Sequence, residues 1–530
     1  MSNPINFFKI SQHNRKLFFQ RAPTSSNKRK KIILLEFNRL SSSIISYSYL
    51  TNILQKKFNS EIFAYRFTAK KNNLKDLLWK ILSKIKLFNT FQVYESFGVS
   101  SFIYPQLNAL KPQNLKKIKN IKKSINSKND LLSLKVDKIY IGDLIYDSYL
   151  MNFKKPTINL NDEKFTLFLE HSLKAFFQWK EIFNKYEVKS VIVSHSVYTL
   201  AIPLRIAIHN RISAFQCSSQ HIYRLSKKNI YAYKEFFDYK KIFKNLNNTT
   251  KKDAIILAKA KIKNKFEGKN LTLGSSKSAY KKNKYKNILN KNNNTKILIA
   301  THCFFDNPHP YGKNLFVDFY EWLDFLGKLS VKTKYDWYIK LHPDYLPETK
   351  KIISDFLNKF PNIKYIPSKY SHHQLIKEGM DVALTSWGSI AHEYPLFDKL
   401  VINSSVNNPH ISYNFSLHPK SVKEYKKLLL NLSKKKKIAK KNKKSIIEFY
   451  VMNFILKKNW MIDNFDNILK NNNYGYYYLF KSDFYDFWIK KEFNKDKHEK
   501  ILKNISNFVN SNDYLMNWNL KALNKFLYVK

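Results

Sequence analysis

The chain has 530 residues, of which 44% are hydrophobic and 16% aromatic, and it carries a formal net charge of +55. Its length exceeds one ordinary core and its apolar content is that of a folded protein, so we expect two or three domains. Its two cysteines, Cys217 and Cys303, lie far apart in the sequence. This usage argues against a disulfide scaffold or a cysteine-based zinc site and suits a reducing compartment.

The positive charge has three interpretations: binding to nucleic acid, attraction to an anionic membrane surface or polyanion, or the lysine-rich composition that an AT-rich genome imposes. The lysines are spread along the whole chain, and arginine, which supplies bidentate base contacts, is scarce. The sequence has no zinc-finger, RNA-recognition or basic-zipper pattern. We therefore expect no nucleic-acid partner, and the other two interpretations stay open.

Residues 1–29 are polar and basic and predict a loose N-terminal arm. They lack the apolar core and small-residue cleavage site of a signal peptide. No segment of the chain reaches about 18 uninterrupted apolar residues, the length that a transmembrane helix needs. These features predict a cytoplasmic protein, with peripheral contact to the inner membrane as one use of its charge.

Residues 30–266 alternate strand and helix patterns and predict an N-terminal α/β domain. An apolar run at 30–37, a serine-rich helix start and a second apolar run at 61–67 form a βαβ opening. Asp143 and His195 fall at the ends of later predicted strands, where the functional side chains of such sheets lie.

The segment 74–88 predicts an amphipathic basic helix, because Leu78, Ile81, Leu82 and Ile85 recur at helical spacing. We expect this apolar face to pack on a core. The alternative is a face that rests on lipid headgroups.

Residues 267–295 are rich in lysine, asparagine and serine and predict a linker. Residues 296–444 predict a C-terminal α/β domain, and residues 445–530 predict a helical, aromatic-rich tail. The C-terminal domain has five apolar runs that predict strands, at 296–302, 336–342, 363–367, 381–386 and 399–404. Helical patterns separate these runs, which indicates a parallel, doubly wound sheet.

Polar residues end several of these strands. Thr301 and His302 end the first, His342 ends the second, and Thr385 and Ser386 end the fourth. Because the carboxyl ends of parallel strands share one edge of a sheet, we expect these side chains to bind a ligand there. The loop after the first strand carries His309, which is expected to form a wall of that site.

The segment 385–393 (TSWGSIAHE) predicts a helix start after the fourth strand. Gly388 permits close backbone approach, and Ser386 and Ser389 offer hydroxyl and N–H groups to a phosphate at the helix N-terminus. Glu393 lies one turn beyond Ser389 and is expected to accept hydrogen bonds from ribose or sugar hydroxyls. An ordinary serine cap with a buried glutamate is the alternative.

Other kinds of site are disfavoured. The sequence has no GxxxxGK[ST], no GxGxxG after a strand and no HExxH, which argues against P-loop, dinucleotide and zinc-protease sites. His372 and His373 lie in SHHQ (371–374) without an acidic cluster beside them. We expect this pair to form a solvent-exposed helix cap and not a metal site.

His342-Pro343 and Thr385-Ser386, with Ser389, resemble the nucleotide-binding motifs of bacterial capsule and surface-polysaccharide glycosyltransferases of GT-B type. That group includes the capsule Kdo transferases and the polysialyltransferases. The first half of the chain resembles the companion domain of surface-carbohydrate biosynthesis proteins. The resemblance implies two Rossmann-like, doubly wound domains that face a cleft. It also implies a nucleotide-sugar donor on the C-terminal domain, with CMP-linked sugars as one candidate class, and an acceptor on the N-terminal domain.

Together with the strand-end and helix-start residues above, the residues of these motifs complete the set of predicted donor-binding residues: Thr301, His302, His309, His342, Pro343, Thr385, Ser386, Gly388, Ser389 and Glu393. A histidine beside the phosphate offsets the charge that grows as the glycosidic bond breaks, so His342 is expected to be catalytic. Asp143 and His195 are candidates for the base that deprotonates the acceptor hydroxyl. The acidic Asp/Glu-Asp/Glu-Gly motif of the polysialyltransferases is not evident in this sequence. No metal is expected, and no cofactor other than the nucleotide-sugar substrate.

The sequence therefore predicts a glycosyltransferase of surface or capsular polysaccharide synthesis. Its expected partners are a nucleotide-sugar donor and a glycan or lipid-linked glycan acceptor. An anionic inner-membrane surface stays open as a further partner. Two alternatives stay open: a CDP-polyol phosphotransferase of the CDP-glycerol type, which resembles the same pattern, and a non-catalytic basic protein that binds polyanions.

Overall fold

The computed structural model of the protein describes residues 3–18, 29–66, 73–85, 89–103, 110–269, 278–281, 285–342, 345–432, 443–461 and 475–525. The chain divides into two compact units. The N-terminal unit comprises Met1–Asn152, Asn159–Ala232 and Lys458–Trp518. The C-terminal unit comprises Phe153–Ile158, Tyr233–Lys457 and Asn519–Lys530.

Strands and helices alternate in the first part of the chain. In order they are α1 (Pro4–Leu17), β1 (Lys31–Glu36), α2 (Ser41–Phe58), β2 (Glu61–Tyr65), α3 (Asn73–Ile85), α4 (Thr90–Ser96), β3 (Val99–Ile103), α5 (Pro112–Ser124), α6 (Lys128–Leu132), β4 (Lys135–Val136), β5 (Ile139–Tyr140), α7 (Gly142–Phe153), α8 (Glu163–Lys185), β6 (Glu187–Val193), α9 (Ile202–His209), β7 (Ser213–Cys217) and β8 (Ile222–Leu225). A 3₁₀ turn, Thr199–Ala201, precedes α9.

The same alternation continues before the chain becomes helical. The elements are α10 (Tyr239–Asn245), α11 (Asn248–Phe266), β9 (Lys296–Ala300), α12 (Phe319–Ser330), β10 (Asp336–Lys340), α13 (Glu348–Lys359), β11 (Ile363–Ile366), α14 (His372–Lys377), β12 (Val382–Thr385), α15 (Ile390–Glu393), β13 (Leu400–Asn403), α16 (Val422–Leu430), α17 (Lys443–Tyr450), α18 (Asp483–Phe487), α19 (Lys495–Asn510) and α20 (Leu520–Leu523). Short 3₁₀ helices lie at Glu235–Asp238, Tyr394–Phe397 and Gly475–Phe480, and π-helical turns at Val451–Ile455 and Trp488–Glu492.

The N-terminal unit is built on a six-stranded sheet of order β3-β2-β1-β6-β7-β8. Neighbouring strands run parallel except β7 and β8, which are antiparallel. The central strand β1 is a run of isoleucine and leucine, and Ile32 to Leu35 are fully buried, as expected for a strand covered on both faces. This order is that of a doubly wound fold, with its topological switch point between β1 and β6.

The C-terminal unit has a wholly parallel sheet of order β11-β10-β9-β12-β13, with its switch point between β9 and β12. Leu298, Tyr338 and Ala383 on its central strands belong to one buried cluster. All five strands predicted for this half are present, and each ends one or two residues before its predicted end. The two strand orders and the helices α17 to α20 confirm the predicted class, two doubly wound α/β domains with a helical C-terminal tail.

The boundaries of the compact units differ from the predicted domain boundaries. Residues 233–266, predicted to end the N-terminal domain, belong to the C-terminal unit, because α11 packs on α17 and on the π-helical turn that follows it. The predicted linker contributes Tyr280 and Leu289 to the buried interior of the same unit. The predicted tail divides, since 458–518 belongs to the N-terminal unit.

The prediction of a loose N-terminal arm is wrong for residues 4–17, which form the helix α1. Ile10 is 1% exposed, and the Asn14 side chain donates a hydrogen bond of 3.1 Å to Ser96 Oγ. The buried face of α1 also includes Asn6 and Ser11. Because most of these buried side chains are polar, hydrophobic periodicity gave little signal for the helix.

Helix α3 is present where an amphipathic helix was predicted, but its apolar face is largely exposed. Leu78 is 47% exposed, Ile81 42% and Ile85 55%, so the expectation that this face packs on a core is wrong. The helix is held instead by Trp79, which is buried edge-on against Phe37 at a centroid distance of 4.6 Å. Across the described ranges, no helix has the length and apolar content needed to cross a membrane.

Candidate active site

A cavity of about 520 Å³ lies in the C-terminal unit at the carboxyl edge of its sheet, a size typical of small-molecule sites. Seven of the predicted donor-binding residues line it: Thr301, His302, His342, Thr385, Gly388, Ser389 and Glu393. Thr385 ends β12, Glu393 lies on α15, and the other five come from the loops that follow β9, β10 and β12. The expectation that polar residues at these strand ends meet in one place therefore matches the geometry.

His302 and Thr385 join the loops that follow β9 and β12. The Thr385 hydroxyl lies 3.0 Å from His302 Nε2, and the backbone N–H groups of Ser386 and Trp387 donate to the same nitrogen at 3.3 and 3.5 Å. Burial, and then the nearby His342, lower the pKa of His302 to about 3. His302 is thus a neutral hydrogen-bond acceptor in this loop, and it contributes no positive charge at neutral pH.

Gly388 is required by this loop. Its N–H donates to Thr385 Oγ1 at 3.1 Å, and a Cβ atom at position 388 would lie 2.7 Å from that oxygen and 3.3 Å from a carbon of the His302 ring. The close backbone approach predicted for Gly388 is therefore an approach to the Thr385 hydroxyl and the His302 ring.

The predicted phosphate site at a helix N-terminus is weaker than expected. Helix α15 has four residues and continues as the 3₁₀ turn Tyr394–Phe397, so few aligned peptide dipoles add up at its start. The N–H groups of Ser386 and Gly388 already have partners within the loop. Ser386 is buried and is not among the described residues that line the cavity.

Lys340, the last residue of β10, lines the cavity and is 3% exposed. Its Nζ donates to the carbonyl oxygens of Pro367 and Ser368 at 3.4 and 3.2 Å. Burial lowers the pKa of Lys340 from 10.5 to about 8, so the ammonium is still charged at neutral pH. Within the described residues, no salt bridge gives it a carboxylate, which leaves a desolvated cation that an anionic ligand would stabilise.

Glu393 is 4% exposed and carries a fixed negative charge in the same cavity. Its Oε1 lies 2.5 Å from Lys265 Nζ, and the Tyr280 hydroxyl donates to Oε2 at 2.9 Å. Burial raises its pKa, but Lys265, followed by His392 and the Ser389 hydroxyl, outweighs burial and lowers the pKa to about 2. Carboxylate oxygens can accept more than one hydrogen bond each, so Glu393 keeps capacity for a ligand hydroxyl.

The remaining predicted donor contacts have mixed positions. His342 is exposed at the cavity rim, and Pro343 lies outside the described residues. Thr301 is buried, and its hydroxyl donates to the Lys340 carbonyl at 3.3 Å. His309 is buried in the loop after β9 and is not among the described residues that line the cavity, whereas Asp306 of that loop is.

The inner wall of the cavity was not predicted. It includes His392 on α15, His410 in the loop after β13, Phe449 on α17 and Phe454 in the following turn. Only tertiary packing brings these segments together, so no local sequence pattern marks them. Lys340 did leave a signal, because it is a charged residue at the end of an otherwise apolar strand pattern.

In the N-terminal unit, Asp143 is buried and not open to a substrate. Its Oδ2 lies 2.7 Å from an Arg205 guanidinium nitrogen and accepts a hydrogen bond of 2.8 Å from the Tyr231 hydroxyl. Asp143 is 3% exposed and Arg205 2%. A carboxylate held in a buried ion pair is a poor general base, so the geometry does not favour the predicted catalytic role of Asp143.

His195 lies at the switch point of the N-terminal sheet, in the loop after β6, and its side chain is exposed. The Ser194 hydroxyl lies 2.9 Å from His195 Nδ1 and 2.9 Å from both oxygens of Glu36, which ends β1. The Ser194 backbone N–H also donates to Glu36. Burial raises the pKa of Glu36, and the Ser194 N–H and the charge of His195 oppose that rise. Sequence reasoning missed Glu36, which reads as the end of an apolar strand.

The same loop carries a strained residue. Tyr198 has φ 63° and ψ 166°, a backbone conformation that residues other than glycine rarely adopt. Such strain persists where surrounding structure fixes the backbone, and it is common beside functional groups.

The histidine pair of SHHQ is not the solvent-exposed cap that was predicted. Ser371 does cap α14, accepting from the Gln374 N–H at 3.2 Å. His372 is 8% exposed, lines the cavity and lies 2.8 Å from the Tyr394 hydroxyl through Nδ1. Among the residues that the structure describes, no group of three or more histidine, cysteine, aspartate or glutamate side chains is placed to hold a metal ion.

No family model and no curated protein matches the sequence. Among solved structures, the chain is similar to UDP-GlcNAc 2-epimerase from Neisseria meningitidis bound to UDP-GlcNAc, with 12% identity, coverage of 81% of this chain and 99% of that chain, and a TM-score of 0.23. The S. aureus MnaA–UDP co-structure is 13% identical, with coverage of 85% of this chain and 97% of that chain and a TM-score of 0.23. The wall teichoic acid polymerase TagF is 13% identical, with coverage of 92% of this chain and 99% of that chain and a TM-score of 0.20. The fold assignment rests on the strand orders above, because TM-scores of this size carry no argument.

Proposed function

We propose that the protein is a glycosyltransferase that moves a sugar from a nucleotide-activated donor to a surface or capsular polysaccharide. CMP-linked sugars are the first donors to test. The observation that carries the proposal is Lys340, a buried and charged lysine that lines the cavity at the carboxyl edge of the C-terminal sheet. A desolvated ammonium without a carboxylate partner lowers the free energy of a bound phosphate.

The donor phosphate is bound by Lys340 from within and by His342 at the rim of the cavity. During transfer the bond between the anomeric carbon and the phosphate oxygen breaks, and its electron pair stays on the phosphate. The ammonium of Lys340 stabilises the negative charge that grows there. His342 is proposed to contact the leaving phosphate at the rim of the cavity, since its side chain is exposed there and acts electrostatically on His302.

Glu393 binds the ribose of the donor. Its pKa of about 2 keeps it ionised at neutral pH, and Lys265 and Tyr280 fix the orientation of its carboxylate. A fixed, ionised carboxylate accepts hydrogen bonds from vicinal hydroxyls well. The Lys265 ion pair also prevents Glu393 from repelling the phosphate beside it.

His195 is the proposed base that deprotonates the acceptor hydroxyl. The role applies to the state in which Glu36 is ionised, which the hydrogen bonds from Ser194 favour and burial opposes. In that state the Ser194 hydroxyl donates to the Glu36 carboxylate and His195 Nδ1–H donates to Ser194 Oγ, which leaves Nε2 as the proton acceptor. The imidazolium that forms is then stabilised by Glu36 through Ser194. The 2.9 Å distances on both sides of Ser194 Oγ support this arrangement.

The exposed face of α3 is proposed to rest on the anionic inner-membrane surface where lipid-linked acceptors lie. Leu78, Ile81 and Ile85 supply apolar contact, and the net charge of +55 supplies attraction to anionic headgroups.

Incubation with CMP-, UDP- and GDP-sugars and CDP-glycerol, scored by nucleotide release and by analysis of the product, tests the function. Sugar transfer without phosphorus supports the proposal. Phosphorus in the product identifies a polyol-phosphate transferase instead. Salt-sensitive binding to polyanions without any nucleotide release identifies a non-catalytic binding protein.

A further inference from the structure

The inner wall of the cavity in the C-terminal unit contains two histidines that bond to each other. His392 Nδ1 lies 2.9 Å from His410 Nε2, and each side chain is 2% exposed. Their outer nitrogens, His392 Nε2 and His410 Nδ1, are buried and have no hydrogen-bond partner among the described residues. A buried polar atom left unpaired is unfavourable, so two of them in one cavity wall point to a ligand.

The pair offers no positive charge to a ligand. Burial lowers the pKa of His392 to about 3 and the pKa of His410 well below its ordinary value. Both rings are therefore neutral, and each carries one N–H. Whichever ring donates across the 2.9 Å contact, one outer nitrogen carries a proton and the other a lone pair. The pair thus always offers one donor and one acceptor.

The walls beside the pair are aromatic. The Phe449 ring lies 4.9 Å from the centroids of both His392 and His410, and the Phe454 ring lies 5.7 Å from His392. A flat heteroaromatic ring stacks on such walls and bonds in its own plane. A sugar would direct hydroxyls around its whole rim, and some of them would face Phe449 and Phe454 unpaired.

We propose that the inner end of this cavity is a nucleobase subsite, in which the neutral His392–His410 pair hydrogen-bonds to the edge of the base. The inference rests on the proposed function, because it assigns the base of the same activated donor. Glu393 follows His392 directly in α15, so one turn of helix carries both a base contact and the ribose contact. Base and ribose are then held by adjacent residues.

The test is calorimetric titration of the full chain with CMP, UMP, GMP, AMP and ribose 5-phosphate. The parent should bind its preferred nucleotide at least about tenfold more tightly than ribose 5-phosphate, the value of one good hydrogen bond in a desolvated site. His392→Phe keeps a flat ring and removes both nitrogens, so it should bring the two affinities within about threefold while ribose 5-phosphate binds as before. His373→Phe is the matched control, because His373 is not among the described lining residues.

Three outcomes decide the inference. If His392→Phe keeps the nucleotide preference of the parent, the nucleobase subsite is wrong and the proposed function stands. If the parent binds no nucleotide and no ribose 5-phosphate, both fail. Should His392→Phe not fold, imidazole NMR signals of the parent replace it. Resonances of His392 and His410 must then shift on addition of the preferred nucleotide but not of ribose 5-phosphate, and signals that do not move overturn the inference.

Discussion

Lys296 and Lys340 are buried lysines at opposite edges of one sheet, the first residue of β9 and the last residue of β10. The two strands pair in parallel, with Asp336 opposite Lys296 and Lys340 opposite Ala300. Each ammonium donates to backbone carbonyl oxygens, Lys296 to that of Asn292 at 2.9 Å. Only Lys340 of the two lines the cavity, so only Lys340 is placed to contact a ligand there.

Replacing Lys340 should weaken nucleotide binding and raise the free energy of unfolding. Lys340→Met removes a desolvated cation, so the free energy of unfolding should rise by about 1 kcal/mol in urea titrations. Lys296→Met loses a hydrogen bond and should cost about 0.5–1.5 kcal/mol. A loss of more than about 1 kcal/mol in Lys340→Met would mean that Lys340 is structural.

Nucleotide binding should weaken at alkaline pH. The pKa of Lys340 in the free protein is about 8, so the ammonium proposed to bind phosphate is lost as pH rises through that value. Affinity measured by titration calorimetry should be flat near pH 7 and then fall by up to about tenfold per pH unit above pH 8. Phosphate groups and the histidines with pKa values near 3 do not titrate there, so a flat profile to pH 9.5 would exclude Lys340.

The same pKa has the opposite effect on stability. Between about pH 8 and 10.5 the unfolded chain holds the Lys340 proton more tightly than the folded chain, so this group makes the free energy of unfolding increase with pH. Urea titrations of the parent and Lys340→Met across this range should therefore converge. If the difference between them does not narrow, the pKa of Lys340 is not depressed.

Loss of the proposed base should affect transfer and not donor binding. His195→Gln should lower the rate of sugar transfer by about 10²–10⁴-fold, because general-base catalysis contributes that much. Ser194→Ala and Glu36→Gln should cost less, since they act through His195. His209→Gln, at the end of α9 in the same unit, is the control and should keep the parent rate. Parent-level transfer by His195→Gln would move the base elsewhere.

Binding to membranes should depend on the exposed face of α3. Ile81→Glu with Ile85→Glu should reduce co-sedimentation with vesicles of equal phosphatidylethanolamine and phosphatidylglycerol at least about fivefold, since both apolar contact and charge are changed. Leu167→Glu is the control, because Leu167 is 51% exposed on α8 of the same unit. Equal sedimentation of all variants would remove this surface from the account.

Hydrophobic periodicity was sufficient to predict the strands of the C-terminal sheet. Every strand of the C-terminal sheet was placed within two residues at its carboxyl end, since continuous apolar runs between helical patterns have few other solutions. Helix α1 and the packing of residues 278–281 and 285–295 were missed, because their buried side chains form no hydrophobic period. Most buried side chains of α1 are polar, as Asn14 is. The buried side chains of the predicted linker, such as Tyr280, are isolated within a polar sequence.

The candidate site was predicted where it follows strand ends and in the segment 385–393. Thr301, His302, His342 and Thr385 met as expected, because strand topology alone brings them to one edge. Burial decided the rest: it left Lys340 charged but His302 neutral, and it enclosed Asp143 in an ion pair with Arg205. Such differences depend on tertiary packing, which a single sequence does not display.

Titration calorimetry of the parent, Lys340→Met and Lys296→Met with CMP, UMP and GMP at pH 7 tests the central claim most directly. We predict that the parent binds at least one of these nucleotides, that Lys296→Met binds it equally well, and that Lys340→Met binds it at least about 30-fold more weakly, as loss of a desolvated charge–phosphate contact requires. Equal affinity of Lys340→Met and the parent, or no binding by the parent, would contradict the account.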